Sequence, residues 1–181
     1  MRFETKTVTL KDSRTAILRS PDPAEAADML DFMADICSET EFLIMGAEDE
    51  PYTLEYETKF LTDTLASEQD MMIVCQVDGR IAGNCQISFN RRVKTRHRAA
   101  VAIALRQKYW GLGIGTALFT EMIAAARDRG VYQLELEYAE GNDRGRALYE
   151  TMGFQAYGEH PDAFRLPDGS MHKFINMRLV L

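Results

Sequence analysis

Y-W-G-L-G-I-G-T, residues 109–116, packs Gly111, Gly113 and Gly115 into five positions of a chain that has twelve glycines in all. It lies between an apolar run ending at Leu105 and an amphipathic stretch that opens near Ile114, so it reads as the passage from a strand into a helix. Glycine allows positive φ and lets another group approach the backbone closely. Two readings follow: a loop that wraps a ligand, or a tight turn.

Upstream, A-A-V-A-I-A-L (99–105) has the composition of a strand, and the basic segment Arg91 to Arg98 reads as the hairpin tip leading into it. Before it, M-M-I-V-C-Q-V and I-A-G-N-C-Q-I-S-F flank Asp78-Gly79, a two-residue hairpin signal. Near the N-terminus, T-V-T-L and T-A-I-L-R form two short strands around a Lys11 to Ser13 turn. Asp22, Pro23 and Glu25 then make a capping box for a helix striped by Ala26, Met29, Leu30, Met33, Ile36 and Cys37. A second helix opens near Thr53 with Phe60, Leu61 and Leu65 on one face.

Downstream of the glycines, Ala117, Leu118, Met122 and Ala125 keep a helical period until Gly130. V-Y-Q-L-E-L-E-Y alternates as a strand. Asn142 is an N-cap for a short helix ended by Gly153. Two further strands are expected near Gln155 to Glu159 and Phe174 to Leu181, on either side of Pro167-Asp168-Gly169. The order β-β-α-α-β-β-β-α-β-α-β-β predicts an α/β fold, with helices flanking a mixed, mostly antiparallel central sheet.

A length of 181 residues favours a single domain, 1–181. The net charge of −7 argues against a general nucleic-acid binder, which needs a broad basic face. Cys37, Cys75 and Cys85 lie in or beside apolar runs, without the spacing of a metal or redox pair, and are expected to be buried thiols; no metal is expected. The first ten residues lack the apolar core of a signal peptide, and no apolar run reaches membrane-spanning length, so a cytoplasmic protein with no membrane partner is the expectation.

A strand, a glycine-rich turn and a helix N-terminus in succession converge several backbone N–H groups and the positive end of a helix dipole on one point, which suits phosphate. The dinucleotide fingerprint G-x-G-x-x-G fails, because its last position falls on Thr116 or, one step on, Leu118. A Walker A loop fails for want of G-K-[ST].

The run W-G-L-G-I-G (110–115) resembles the Q/R-x-x-G-x-G/A loop of the GNAT superfamily of acyl-CoA-dependent N-acyltransferases, with Trp110 in place of the usual Gln or Arg. N-D-R-G-R-A-L-Y-E-T-M-G-F (142–154) resembles the same family's N-x-x-A-x-x-L-Y-x-x-x-G-F, with Gly145 where Ala is usual. The two motifs stand in the family's order, separated by a helix and a strand. The resemblance is nearest to bacterial branches related to ribosomal-protein alanine acetyltransferases.

The resemblance implies an N-acetyltransferase that moves an acetyl group from acetyl-CoA to a primary amine, on a protein N-terminus or a small molecule, by direct attack in a ternary complex. It assigns the CoA diphosphate to the main chain of Trp110, Gly111, Leu112, Gly113, Ile114, Gly115 and Thr116, and the pantetheine arm to Ile103, Ala104 and Leu105. Asn142 would contact the arm as well as cap its helix. Tyr149 matches the family's general acid, a phenol of reference pKa near ~10 facing a departing thiolate.

Glu137 matches an acid that serves as base in the ribosomal-protein branch. Burial on a strand covered by helices would raise its pKa; a water relay is the rival, and Glu135 shares its face, which leaves room for one of the pair to be an exposed, solvated acid. Arg106, Lys108, Arg144 and Arg146 are candidates to neutralise phosphates. The 91–98 segment, with His97, lies roughly 20 Å from the glycines at 3.3 Å per residue, and is a solvated tip or a steering patch.

The acceptor pocket is expected between the first two helices, the segment Phe42 to Tyr52 and the C-terminal strands. Glu48, Asp49 and Glu50 either attract a cationic amine or form a solvated loop. The alternatives to an enzyme are a non-catalytic acyl-CoA-binding module and a structural domain whose glycines merely turn the chain. Monomer and homodimer both remain open.

Overall fold

The computed structural model describes residues 1–46 and 48–181. Its strands are β1 (Lys6–Thr9), β2 (Thr15–Arg19), β3 (Asp70–Val77), β4 (Arg80–Phe89), β5 (Arg98–Leu105), β6 (Gln133–Ala139), β7 (Gln155–Arg165) and β8 (Met171–Val180). The helices are α1 (Ala26–Glu39), α2 (Leu54–Ala66), α3 (Ile114–Asp128) and α4 (Asp143–Thr151). The strands form one eight-stranded sheet in the order β1-β2-β3-β4-β5-β6-β8-β7. Every neighbouring pair is antiparallel except β5 and β6, which run parallel.

Local chemistry places most of these boundaries. Asp22 accepts from the Ala24 N–H and Glu25 reaches back to the Asp22 N–H, but the box caps a 3₁₀ turn, Pro23–Glu25, from which α1 continues. Thr53 Oγ1 accepts from the Tyr56 N–H at 3.1 Å to start α2. Asp78 and Gly79 both have positive φ, 51° and 77°, which matches the twist of a tight β3–β4 hairpin. β7 runs six residues beyond the expected Glu159, because its far end re-pairs with the start of β8 after an irregularity between His160 and Phe164.

Both faces of the sheet are covered in its middle, so residues 71–75 of β3 are apolar and buried without alternation. Met72 and Val74 pack under α1 and α2 with Met29, Phe32, Ile36 and Leu61. Met71, Ile73, Cys75 and Val77 pack on the other face with Leu118, Phe119 and Met122 of α3. Phe32, which the helical stripe of the sequence omitted, is fully buried, whereas Leu30 and Met33 flank it half-exposed. Burying such a side chain contributes about 1.5–3 kcal/mol. The three thiols are free and buried, as expected.

The departure from a regular sheet lies at its centre. β5 and β6 pair over three residues only, Arg98↔Gln133 to Ala100↔Glu135, and then separate. From Val101 to Leu105 the β6-facing edge of β5 has no strand partner among the described residues; apart from the Leu105 carbonyl, which accepts from the Trp110 indole N–H, its N–H and C=O groups are available to a ligand. The slot between the two strands opens toward residues 109–116.

Candidate active site

The three glycines serve two purposes. Gly111 and Gly113 have φ of 80° and 91° and turn the chain into α3. Gly115 is helical; a Cβ there would lie 2.7 Å from Cδ2 of Leu148, so its smallness lets α4 pack against the start of α3. The loop and the slot border one cavity of about 980 Å³. Ile103, Ala104, Leu105, Trp110, Gly111, Gly113, Ile114, Gly115, Thr116 and Asn142 line it, as do Tyr149 and Glu137. Leu112 does not: its side chain packs on the core and its carbonyl accepts from the Lys11 N–H at 3.1 Å.

That last hydrogen bond draws the β1–β2 turn against the loop. Lys11 Cγ comes within 3.8 Å of where a Gly113 Cβ would be, and the side chain lines the cavity. On the opposite side Arg144, at the start of α4, stacks on the Trp110 ring with Cζ 4.9 Å from its centroid. The Trp110 indole N–H donates to the Leu105 carbonyl at 3.0 Å, which fixes that platform. Trp110 thus holds a cation from elsewhere in the chain beside the loop. Lys11 has no sequence signal: it sits in an ordinary polar turn about a hundred residues before the loop.

The other basic candidates are engaged elsewhere. Arg106 is buried, donates to the Ile81 carbonyl at 2.7 Å and places Nε 2.8 Å from Asp35 Oδ2. It ties the end of β5 to α1 and is not available to phosphate. Arg146 pairs with Asp143 at 3.1 Å, and Lys108 lies over the Tyr109 ring; neither lines the cavity. The 91–98 segment sits at the opposite end of β5 from the glycines and contributes nothing to the lining.

Tyr149 is held on α4 in an aromatic cluster with Phe119 at 5.7 Å, Tyr138 at 5.8 Å and Phe154 at 6.4 Å between centroids. Burial pushes its phenol up to about 12, with the nearby Cys85 and Tyr138 adding to the rise. Against a thiol in water such a phenol is a poor proton donor. The same core lifts a thiol as far, however: burial alone pushes Cys75 up to about 12.

Glu137 departs from the expectation of burial. It lines the cavity but is solvent-exposed, because neither α1 nor α2 reaches across the second half of β6. Glu135 is half-buried and tied at 3.1 Å to Arg98 and by Gln133 Nε2, whereas Glu137 has no ion-pair partner among the described residues.

Strand alternation puts Glu137 on the α1/α2 face and its neighbour Tyr138, which packs on Tyr149, on the α3/α4 face. Glu137 and Tyr149 approach the cavity from opposite sides of the sheet. Asn142 caps α4 by accepting from the Gly145 N–H at 2.8 Å. A Cβ at 145 would meet the Asn142 side chain at 2.8–2.9 Å, so the cap sits closer over Gly145 than over a residue with a side chain.

The cavity lining also draws on Ile36 and Thr40 of α1 and its end, on Phe42, Leu43 and Ile44, and on Tyr157, Phe174 and Asn176 of the C-terminal hairpin. α2 contributes no side chain to the lining, and Glu48, Asp49 and Glu50 are exposed outside it. Residue 47 of the 42–52 segment lies outside the described residues. Among the described residues no group of three or more His, Cys, Asp and Glu side chains is arranged to hold a metal, and no helix is long and apolar enough to cross a membrane.

The sequence model of the acetyltransferase (GNAT) family matches residues 33–154. A 5-NmdU N-acetyltransferase of Pseudomonas phage PaMx11 is 26% identical over 118 residues, 65% of this chain and 81% of its own. The N-alpha-acetyltransferase RimI of Mycobacterium tuberculosis is 33% identical over 94 residues, 52% of this chain and 58% of its own. In structure, a GNAT-family acetyltransferase from Streptococcus pneumoniae superposes with a TM-score of 0.84 at 24% identity, over 92% of this chain and 99% of that one. The acetyltransferase yncA of Salmonella typhimurium, solved with its cofactor acetyl-CoA, superposes at 0.77 and 16% identity, over 92% and 94%.

Proposed function

The chain belongs to the acetyltransferase (GNAT) family, and from that premise we propose that it transfers an acetyl group from acetyl-CoA to a primary amine by direct attack in a ternary complex. One observation carries the reading: the charged side chains that line the cavity are sorted by sign. Lys11 and Arg144 flank the glycine loop, and Glu135 and Glu137 stand at the other end. An anion fits at one end and an ammonium at the other.

In this reading the N–H groups of residues 110–116 and the N-terminus of α3 bind the CoA diphosphate, with Lys11 and Arg144 closing over it. The pantetheine arm runs along the free edge of β5 at Ile103, Ala104 and Leu105, with Asn142 beside it. An edge N–H of β5 meets the oxyanion. The ammonium loses one proton to Glu137, directly or through a water, and the neutral amine nitrogen attacks the thioester carbon. As the C–S bond breaks, Tyr149 gives its phenolic proton to the leaving thiolate, and the adduct nitrogen sheds its second proton through water to the phenolate, which leaves a neutral amide and a neutral Tyr149. Three unpaired, buried thiols accord with a reducing, cytoplasmic setting.

A thermal shift tests the binding half of the proposal. CoA at one hundred times its dissociation constant should stabilise the protein by about 2.7 kcal/mol, a rise in melting temperature of roughly 5–10 °C for a chain of this size. Release of free thiol from acetyl-CoA in the presence of amines tests the catalytic half. No shift and no thiol would remove the proposal.

A further inference from the structure

Beyond the position of the thioester, the cavity narrows the choice of acceptor, on the premise that acetyl transfer is the reaction. The walls there are apolar: Phe42, Leu43 and Ile44 follow α1, and Tyr157 and Phe174 project from β7 and β8. The Phe42 ring reaches within 3.5 Å of where a Gly141 Cβ would be, so this wall stands beside the end of β6. Phe174 pairs across strands with Ala139, and Asn176 with Glu137, which places these groups around one half of β6. Ile44 and Tyr157 are 77% and 53% exposed, so the lip presents bulky apolar surface that an occupant would cover.

Charge is scarce at this end. Among the described residues two carboxylates line the cavity, and Glu135 is already engaged by Arg98. Glu137 alone is left for an ammonium, with Asn176 beside it. A second or third ammonium on the same acceptor would lie against Phe, Leu and Ile with no anion to replace its water. Glu48, Asp49 and Glu50, which would draw a polycation, lie outside the lining.

We propose that the acceptor is a primary monoamine bearing an aliphatic or aromatic group, its nitrogen at Glu137 and its apolar body against the 42–44 wall and Tyr157. Kinetics of thiol release at saturating acetyl-CoA with phenethylamine, hexylamine, spermidine and kanamycin test this. The two monoamines should exceed spermidine and kanamycin in kcat/KM by about tenfold or more. Ile44→Ser, at a largely exposed position that the fold tolerates, should raise KM for phenethylamine about fivefold while leaving KM for acetyl-CoA and kcat unchanged. Equal or better use of a polycation, no transfer to either monoamine, or an indifferent Ile44→Ser overturns the inference. Calorimetry of CoA binding on the same preparation separates the failures. If CoA binds and spermidine or kanamycin releases thiol, only the acceptor class is wrong; if CoA does not bind, or no amine releases thiol, the acetyl-transfer reading falls with it.

Discussion

Tyr149 has its proton fixed by burial: a phenol pushed up to about 12 stays protonated throughout the working range of pH. Tyr149→Phe keeps the ring in its cluster with Phe119 and Phe154 and deletes the proton. Turnover should fall about 100-fold with CoA affinity unchanged, read by steady-state kinetics beside calorimetry; an unaltered kcat would assign the proton to water. Lys11→Ala and Arg144→Ala should do the opposite, each weakening CoA about 5- to 20-fold by loss of a charge-assisted contact. That effect should shrink as salt is raised. Trp110 announced itself in the sequence only as a departure from a motif; its service as a platform for Arg144 becomes visible when α4 is folded over the loop.

Among the elements, the glycine loop separates backbone freedom from packing. Gly113→Ala forces a side chain to positive φ, at about 1–2 kcal/mol, although the new Cβ would have only ordinary contact with Lys11. The melting temperature should drop by roughly 2–8 °C, and CoA affinity should fall because the N–H groups are re-aimed. Gly115→Ala has no φ penalty and instead brings Cβ within 2.7 Å of a Leu148 methyl, so Leu148, the neighbour of Tyr149 on α4, must turn aside; kcat should suffer more than CoA binding. Kinetics and calorimetry on the two variants distinguish these cases.

The caps at Asp22, Thr53 and Asn142 and the Asp78-Gly79 hairpin were legible in the sequence because each is a local hydrogen-bonding or φ requirement. The parting of β5 and β6 was not, since an unpaired strand edge leaves no trace in side-chain composition. Glu137's exposure was hidden for a related reason. Alternation states which face a residue takes, not whether a helix reaches over it.

For the whole molecule, three buried acids, Glu57, Tyr149 and Cys75, shape the two ends of the stability profile. Glu57 on α2 is buried, and desolvation raises its pKa above the ordinary carboxylate value. Its contribution is then fully present at low pH and is lost as pH rises through the folded-state value. Glu57→Gln should therefore raise the melting temperature at pH 7 and give no gain near pH 4, by calorimetry at the two values. At the alkaline end Tyr149 and Cys75, both pushed up to about 12 by burial, make the fold lose stability once pH exceeds their unfolded values. For Tyr149 the loss is roughly 2–3 kcal/mol between pH 10 and 12, and Tyr149→Phe should remove that part of the slope.

The sorting of charge along the cavity is likewise a property of the whole chain. It joins Lys11 of the first hairpin, Arg144 of the last helix and two glutamates of the sheet, a convergence that no stretch of sequence displays. A crystal structure with acetyl-CoA tests the account most directly. It predicts the diphosphate against the main chain of residues 110–116, between Lys11 and Arg144, with the thioester in the slot beside Tyr149. Density for CoA anywhere else on the molecule would contradict it.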